Sequence, residues 1–243
     1  MLNIKLGCFA ALWQDLGMSS EVAPPPALAD VLTRMRAALA DAGRDGAAAQ
    51  LIAISKTKPI EAITPLIAAG HLCFGENRVQ EAKEKWPALR AAHGGIELHL
   101  VGPLQTNKAK EAIALFDVIQ TLDREKLARK LSALKNDIDG DDFPRLYIQV
   151  NSGGEPQKSG VSLSELAAFH ALCVGELGLV IDGLMCLPPQ DEAAGPHFAL
   201  LAKLADELGL DNLSMGMSGD FETALALGAT HIRVGTALFG ARD

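Results

Sequence analysis

Eight short apolar runs, each followed by a longer stretch with helical spacing, recur along the 243-residue chain after Pro26. No other feature narrows the fold as far. The runs are QLIAISK (50–56), HLCFGE (71–76), IELHLVG (96–102), DVIQTL (117–122), RLYIQVN (145–151), LVIDGLMC (179–186), NLSMG (212–216) and HIRVGT (231–236). Their apolar residues are mostly consecutive, the pattern of parallel strands buried on both faces. A parallel pair needs a crossover, and stretches such as PIEAITPLIAAG and DREKLARKLSALKN supply it as helices. Eight such units in about 200 residues predict an α/β chain folded as a single (β/α)8 TIM barrel. An open doubly wound sheet is the competitor, but no GxGxxG follows the first run. ALADVLTRMRAALADAG adds an N-terminal helix ending at Gly43. The prolines of EVAPPPALAD mark a stiff linker, so residues 1–25 are expected to be a poorly ordered extension and 26–243 the barrel domain.

Charge and composition then exclude several functions. A net charge of −8 and only 5% aromatic residues argue against nucleic acid, which needs clustered Lys and Arg. No apolar stretch reaches the roughly 20 residues of a membrane span. The first 20 residues lack the basic and long apolar segments of a secretory signal, so a cytoplasmic protein is expected. Cys8, Cys73, Cys173 and Cys186 form no CxxC pair and read as reduced core residues. The six histidines show no metal-ligand spacing, so no metal is expected. His99 and His231 fall in strand-like runs and read as structural.

Barrels of this type carry their chemistry at the C-terminal ends of the strands. Polar residues there are Ser55 and Lys56, Glu76 and Asn77, Gln105 and Asn107, Asn151, Ser214 and Ser218, and Arg233, Gly235 and Thr236. Lys56 stands out because an amine ends a buried run. Strand alternation puts Ile52, Ile54 and Lys56 on one face, whereas Lys58, before Pro59, is expected in solvent. A free lysine is neutral in only about one molecule in 2,500 at pH 7. Desolvation lowers its pKa and frees the lone pair for attack on an aldehyde. A stem lying along the rim is the plainer alternative.

The far end of the chain tips the balance. LSMGMSGDFETALALG offers two serines beside glycines, with Ser218 placed like an N-cap, and IRVGTALFG offers Gly235 and Thr236. Loops after the seventh and eighth strands, with a helix N-terminus, form the recurrent phosphate site of barrels. A phosphate cradle beside a mouth lysine fits a phosphorylated aldehyde, of which pyridoxal 5′-phosphate (PLP) is the obvious one.

IAISKTKP, FGENRVQEAKEK, LHLVGPLQTNK, GLMCLP, LSMGMSGDFETAL and IRVGTALFGAR together resemble the pyridoxal phosphate homeostasis protein family, from about residue 28 to Arg242. The resemblance implies a barrel of the alanine racemase N-terminal type (PLP fold type III) with PLP bound covalently to Lys56 as a Schiff base. It implies Asn77 close to the cofactor, and Ser214 or Ser218 with Gly235 and Thr236 on the phosphate. It places Arg233 at the pyridine nitrogen. Arg78 departs from the aromatic residue that relatives often carry after GEN. The implied function is PLP (vitamin B6) homeostasis: the protein would buffer or deliver PLP and related vitamers, with apo PLP-dependent enzymes as candidate recipients.

A PLP-dependent amino-acid racemase is the alternative, and a cofactor-free lysine aldolase a weaker one. Racemisation commonly uses two bases, one on each face of the α-carbon. In the alanine racemase relatives a tyrosine of an added C-terminal domain, donated across a dimer, is the second. The chain runs only about seven residues past the last strand, so a monomer without robust catalysis, and with no catalytic residue of its own, is expected. Tyr147, the one tyrosine, reads as packing with its hydroxyl satisfied nearby. Lys83, Lys85, Lys108 and Lys110 read as solvated helix faces, and Lys158 as a loop residue.

Overall fold

The computed structural model describes residues 22–44, 49–138, 143–155 and 158–240. Most of the expected extension, Cys8 included, lies outside them. Eight parallel strands close into a barrel in chain order: β1 (Gln50–Ile54), β2 (Cys73–Glu76), β3 (Glu97–Leu100), β4 (Val118–Leu122), β5 (Arg145–Val150), β6 (Ile181–Cys186), β7 (Asn212–Ser214) and β8 (His231–Val234). Closure comes from β8 lying against β1, with Gln50 opposite His231, Ile52 opposite Arg233 and Ala53 opposite Val234.

Each strand is continuous in apolar residues because its two faces meet two different interiors. The outward residues Leu51, Ala53, Phe74, Leu98 and Leu100 join the helices in one extended core. The inward residues form two small clusters, Ile52, Ile54, Cys73 and Val101 on one side and Val118, Tyr147 and Met185 on the other. Cys73, Cys173 and Cys186 are buried free thiols.

The helices are α1 (Pro26–Asp41), α2 (Ile60–Ala68), α3 (Val79–Ala92), α4 (Ala109–Ile113), α5 (Glu125–Lys135), α6 (Leu166–Ala171), α7 (Ala194–Leu208), α8 (Phe221–Ala226) and α9 (Thr236–Phe239). The added N-terminal helix α1 starts with Pro26 in its first turn and buries Leu28, Val31, Leu32, Met35 and Leu39, an i, i+3, i+4 stripe. That stripe packs on α8 and α9, where Arg34 pairs with Glu222 and its guanidinium lies 4.7 Å over the Phe221 ring. Helix α3 buries Val79, Ala82, Lys85, Trp86 and Leu89 against β2, with the Trp86 and Phe74 rings 5.0 Å apart. Among the described residues no helix is long and apolar enough to cross a membrane.

Candidate functional site

Lys56 is the second residue after β1. Ile52 and Ile54 point into the lumen, and alternation gives Lys56, half-buried at the mouth, the same side. The intervening Ser55 points outward, its hydroxyl donating to Glu76 Oε1 at 2.8 Å. Thr57, next in line, has φ +62°, a left-handed conformation that costs a β-branched residue about 1–3 kcal/mol.

Two of the expected solvated lysines are not in solvent. Lys85 is only 8% exposed because it shares the buried stripe of α3; its ammonium lies 2.7 Å from Glu76 Oε1 and 2.8 Å from Glu81 Oε1. Lys58 is half-buried, and its Nζ donates to the Phe239 carbonyl at 3.0 Å, tying the loop after β1 to α9. Lys83 and Lys108 instead pair with Glu111 on exposed or half-buried surfaces.

Asn77 follows β2 and is half-buried at the next position round the mouth. Gly102 sets its backbone: a Cβ there would stand 2.2 Å from the Asn77 carbonyl oxygen, so only glycine allows this approach. On the other flank, β8 runs into Gly235, which packs against the end of β1; a Cβ would be 3.4 Å from both Ile54 Cβ and the Ile54 carbonyl oxygen. Thr236 is exposed beside it. Ser218 does not cap α8; Asp220 is the N-cap, its Oδ1 accepting from Met217 N–H at 2.6 Å. The Ser218 hydroxyl oxygen instead accepts from Ala237 N–H at 3.3 Å, drawing the loop after β7 onto the first turn of α9. Gly216, at φ +90°, makes that loop possible: a Cβ there would lie 2.5 Å from Ala224 Cβ. Lys56, Gly235, Thr236 and Ser218 thus share one arc of the rim.

Arg233 lies deeper, 4% exposed. Its Nη1 donates to Ser214 Oγ and its Nη2 to the Cys186 carbonyl, both at 2.7 Å. Burial lowers its pKa to about 10, which leaves it cationic at neutral pH. Arginine only donates, so the Ser214 hydrogen must point away from it, to Gln120 Oε1 at 2.6 Å. The Gln120 amide then donates to His99 Nδ1 at 2.9 Å, which leaves the His99 proton on Nε2, facing Glu97 Oε1 at 2.7 Å. The result is a one-directional chain of donors from Arg233 to Glu97. Burial opposes ionisation of Glu97, but His99 and Arg145 outweigh it and hold the carboxyl down at about 2. Gln120 and Glu97 were not singled out from the sequence; the signal was a glutamine inside the apolar run DVIQTL. Cys73, Glu97 and His99 bring three potential metal ligands together, with Cys73 Sγ 3.7 Å and His99 Nε2 2.7 Å from Glu97 Oε1, while Arg145 pairs with the other carboxylate oxygen at 2.5 Å.

Tyr147 is fully buried in the lumen, its hydroxyl 3.5 Å from His231 Nδ1, and burial raises its pKa. Lys158 pairs with Glu155 in the loop after β5.

The family described as alanine racemase, N-terminal domain, matches residues 29–243. A Pseudomonas aeruginosa protein named pyridoxal phosphate homeostasis protein is 44% identical over 223 residues, 89% of this chain and 94% of that one. The Escherichia coli K12 protein of the same name is 39% identical over 89% of this chain and 95% of its own. PipY of Synechococcus elongatus, solved with PLP bound, is 37% identical with a TM-score of 0.74, covering 86% of this chain and all of that one. Alanine racemase from Pseudomonas aeruginosa shares the fold at 19% identity and a TM-score of 0.63, over 87% of this chain and 58% of the racemase.

Proposed function

Because the chain belongs to the pyridoxal phosphate homeostasis protein family, we propose that it binds pyridoxal 5′-phosphate and serves in homeostasis of that cofactor, with Lys56 as its covalent holder. The observation that carries this reading is a half-buried amine just past the end of β1 at the mouth, with a buried, doubly anchored guanidinium deeper in the lumen on the neighbouring strand β8, opposite Ile52.

The residues present fit the group. PLP supplies a reactive aldehyde, which condenses with an amine as one water leaves, and an electron-accepting ring. Lys56 Nζ would hold the aldehyde carbon, with Asn77 on its flank. The Ser218 hydroxyl, Gly235 and Thr236 form the rim arc that would take the phosphate. The Ser214 hydroxyl is committed to Gln120, which gives it the task of supporting Arg233. Arg233 has five N–H donors, of which two are engaged by Ser214 and Cys186, so it retains donors for the ring nitrogen. It has no acceptor and keeps its own proton, so it would hold that nitrogen unprotonated and weaken the ring as an electron sink.

A buffering and delivering role suits these residues better than turnover. Racemisation needs a second acid–base group facing the α-carbon. Tyr147 is buried in the lumen, and its raised pKa keeps it a phenol. Any racemase-like turnover is expected to be weak. We take residues 26–243 as the binding domain of a cytoplasmic monomer that passes PLP to apo PLP-dependent enzymes.

Loading the protein with PLP tests the core of this reading. A visible absorption band should form, borohydride should fix the cofactor to Lys56, and Lys56→Ala should abolish both. A colourless wild-type protein would overturn the cofactor assignment. Rapid α-proton exchange of L-amino acids in heavy water, with inversion, would replace the carrier role by a racemase.

A further inference from the structure

Behind Lys56, between the barrel wall and α3, lies a buried ionic cluster that none of the cofactor contacts uses. Lys85 Nζ reaches Glu76 Oε1 at 2.7 Å and Glu81 Oε1 at 2.8 Å. The same ammonium donates to the Ser55 carbonyl at 2.9 Å and the Lys58 carbonyl at 3.3 Å. Glu81 Oε1 accepts the Thr57 N–H at 2.5 Å, and Glu76 Oε1 accepts the Ser55 hydroxyl at 2.8 Å and the Trp86 indole N–H at 3.1 Å. The backbone on both sides of Lys56 is therefore held by two side chains of α3, Lys85 and Glu81.

The held conformation is one the chain would otherwise leave. Thr57 is, among the described residues, the one non-glycine residue with positive φ. A threonine stays left-handed only where its surroundings over-determine it, and a cation bonded to the carbonyls of Ser55 and Lys58 does that. Burying an ammonium against the buried Glu76 and the half-buried Glu81 earns little net stability, so the cluster is better explained by the conformation it fixes.

We propose that Lys85, with Glu76 and Glu81, is a positioning residue for Lys56: it clamps the 55–58 turn in its left-handed bend and so aims the amine into the mouth. The inference rests on the reading that Lys56 Nζ holds the aldehyde carbon of PLP.

The test compares two ligands on the full-length protein. Pyridoxamine 5′-phosphate has the ring and phosphate of PLP but no aldehyde, so it reports every contact except attachment. Glu76→Gln with Lys85→Met removes the ammonium from the Ser55 and Lys58 carbonyls without stranding a buried carboxylate at position 76, and leaves only Glu81 on the turn. Releasing the strained turn should weaken PLP binding and borohydride trapping about ten-fold, while pyridoxamine 5′-phosphate binding changes by no more than about two-fold. The Thr57 amide should also exchange its hydrogen faster than in the wild type. Equal losses for both ligands, or none for either, would overturn the proposal.

Should the double variant not fold, Glu81 decides. Glu81→Leu removes the acceptor for the Thr57 N–H and should reproduce the selective loss of PLP, whereas Glu81→Gln keeps an acceptor and should restore it. Identical behaviour of Leu and Gln at this position would sink the clamp. A wild-type protein that binds PLP without being trapped at Lys56 would overturn both this inference and the attachment reading.

Discussion

The lumen has two unlike sectors. Below Lys56 it is hydrocarbon, with Ile52, Ile54 and Val101 packed beside Cys73. Around Arg233 it is a run of polar side chains, Ser214, Gln120, His99 and Glu97, each donating to the next. The first sector supplies shape and dryness under the amine proposed to hold PLP. The second fixes a buried guanidinium through Ser214, whose hydroxyl the rest of the run orients as an acceptor. One barrel can do both because alternation gives each strand an inward face, independent of its neighbours, while the outer layer holds the fold together.

Replacing Arg233 should expose this division most strongly. Arg233→Met leaves Ser214 Oγ and the Cys186 carbonyl without their donor, at about 1–3 kcal/mol each. PLP affinity, read by titration of the visible band, should fall about a hundred-fold, because the charged donor proposed for the ring nitrogen goes with the side chain. Arg233→Lys should recover the charge but not the forked geometry, and so only part of the affinity.

Gln120→Leu strikes the chain at its middle. It strands the Ser214 hydroxyl and His99 Nδ1, and urea unfolding should register a loss of about 1–3 kcal/mol. PLP affinity should fall about ten-fold, since Arg233 loses its support but not its charge. Affinity equal to wild type would show that Arg233 needs no help from the chain.

Acid should weaken the fold through its buried histidines. Burial lowers His231, in the polar sector, to about 3, and His71, at the base of the barrel, to about 4. Below the ordinary histidine pKa of about 6.5 the unfolded chain takes up a proton that the folded one refuses. Stability is therefore highest above that pH and falls as pH drops towards 4, by about 1.4 kcal/mol per pH unit for each histidine. His231→Asn should remove one of the two contributions, measured as the slope of unfolding free energy against pH; an unchanged slope would refute the assignment.

The smallest effect belongs to the hydrocarbon sector. Ile52→Val removes one methylene from this cluster, leaves the Cys73 thiol on Glu97 Oε1 in place, and should cost about 0.5–1.5 kcal/mol of stability. PLP binding should stay within about two-fold of wild type if the sector acts only through packing.

Much of the molecule is written locally. Continuous apolar runs separated by helical stretches dictate parallel strands, and eight of them in one chain dictate closure. Lys56 was legible because the 2.0-residue period of a strand carries it onto the face of Ile52 and Ile54. Gly235, Thr236 and Ser218 were legible from where strands seven and eight end, though the partner of Ser218 was not: it meets Ala237 in the first turn of α9. The partners of Gln120 and Lys85 belong to the tertiary structure alone. Helical spacing puts Lys85 on the buried stripe with Ala82 and Trp86, yet which carbonyls its ammonium meets depends on the turn after β1, 27 to 30 residues away. Strand period fixes which way Gln120 points, but only closure of the barrel brings it between Ser214 of β7 and His99 of β3. Periodicity is a property of neighbours in sequence, and sequence reasoning reaches as far as it does; hydrogen-bond partners across a closed lumen are set by register and shear, which no single segment encodes.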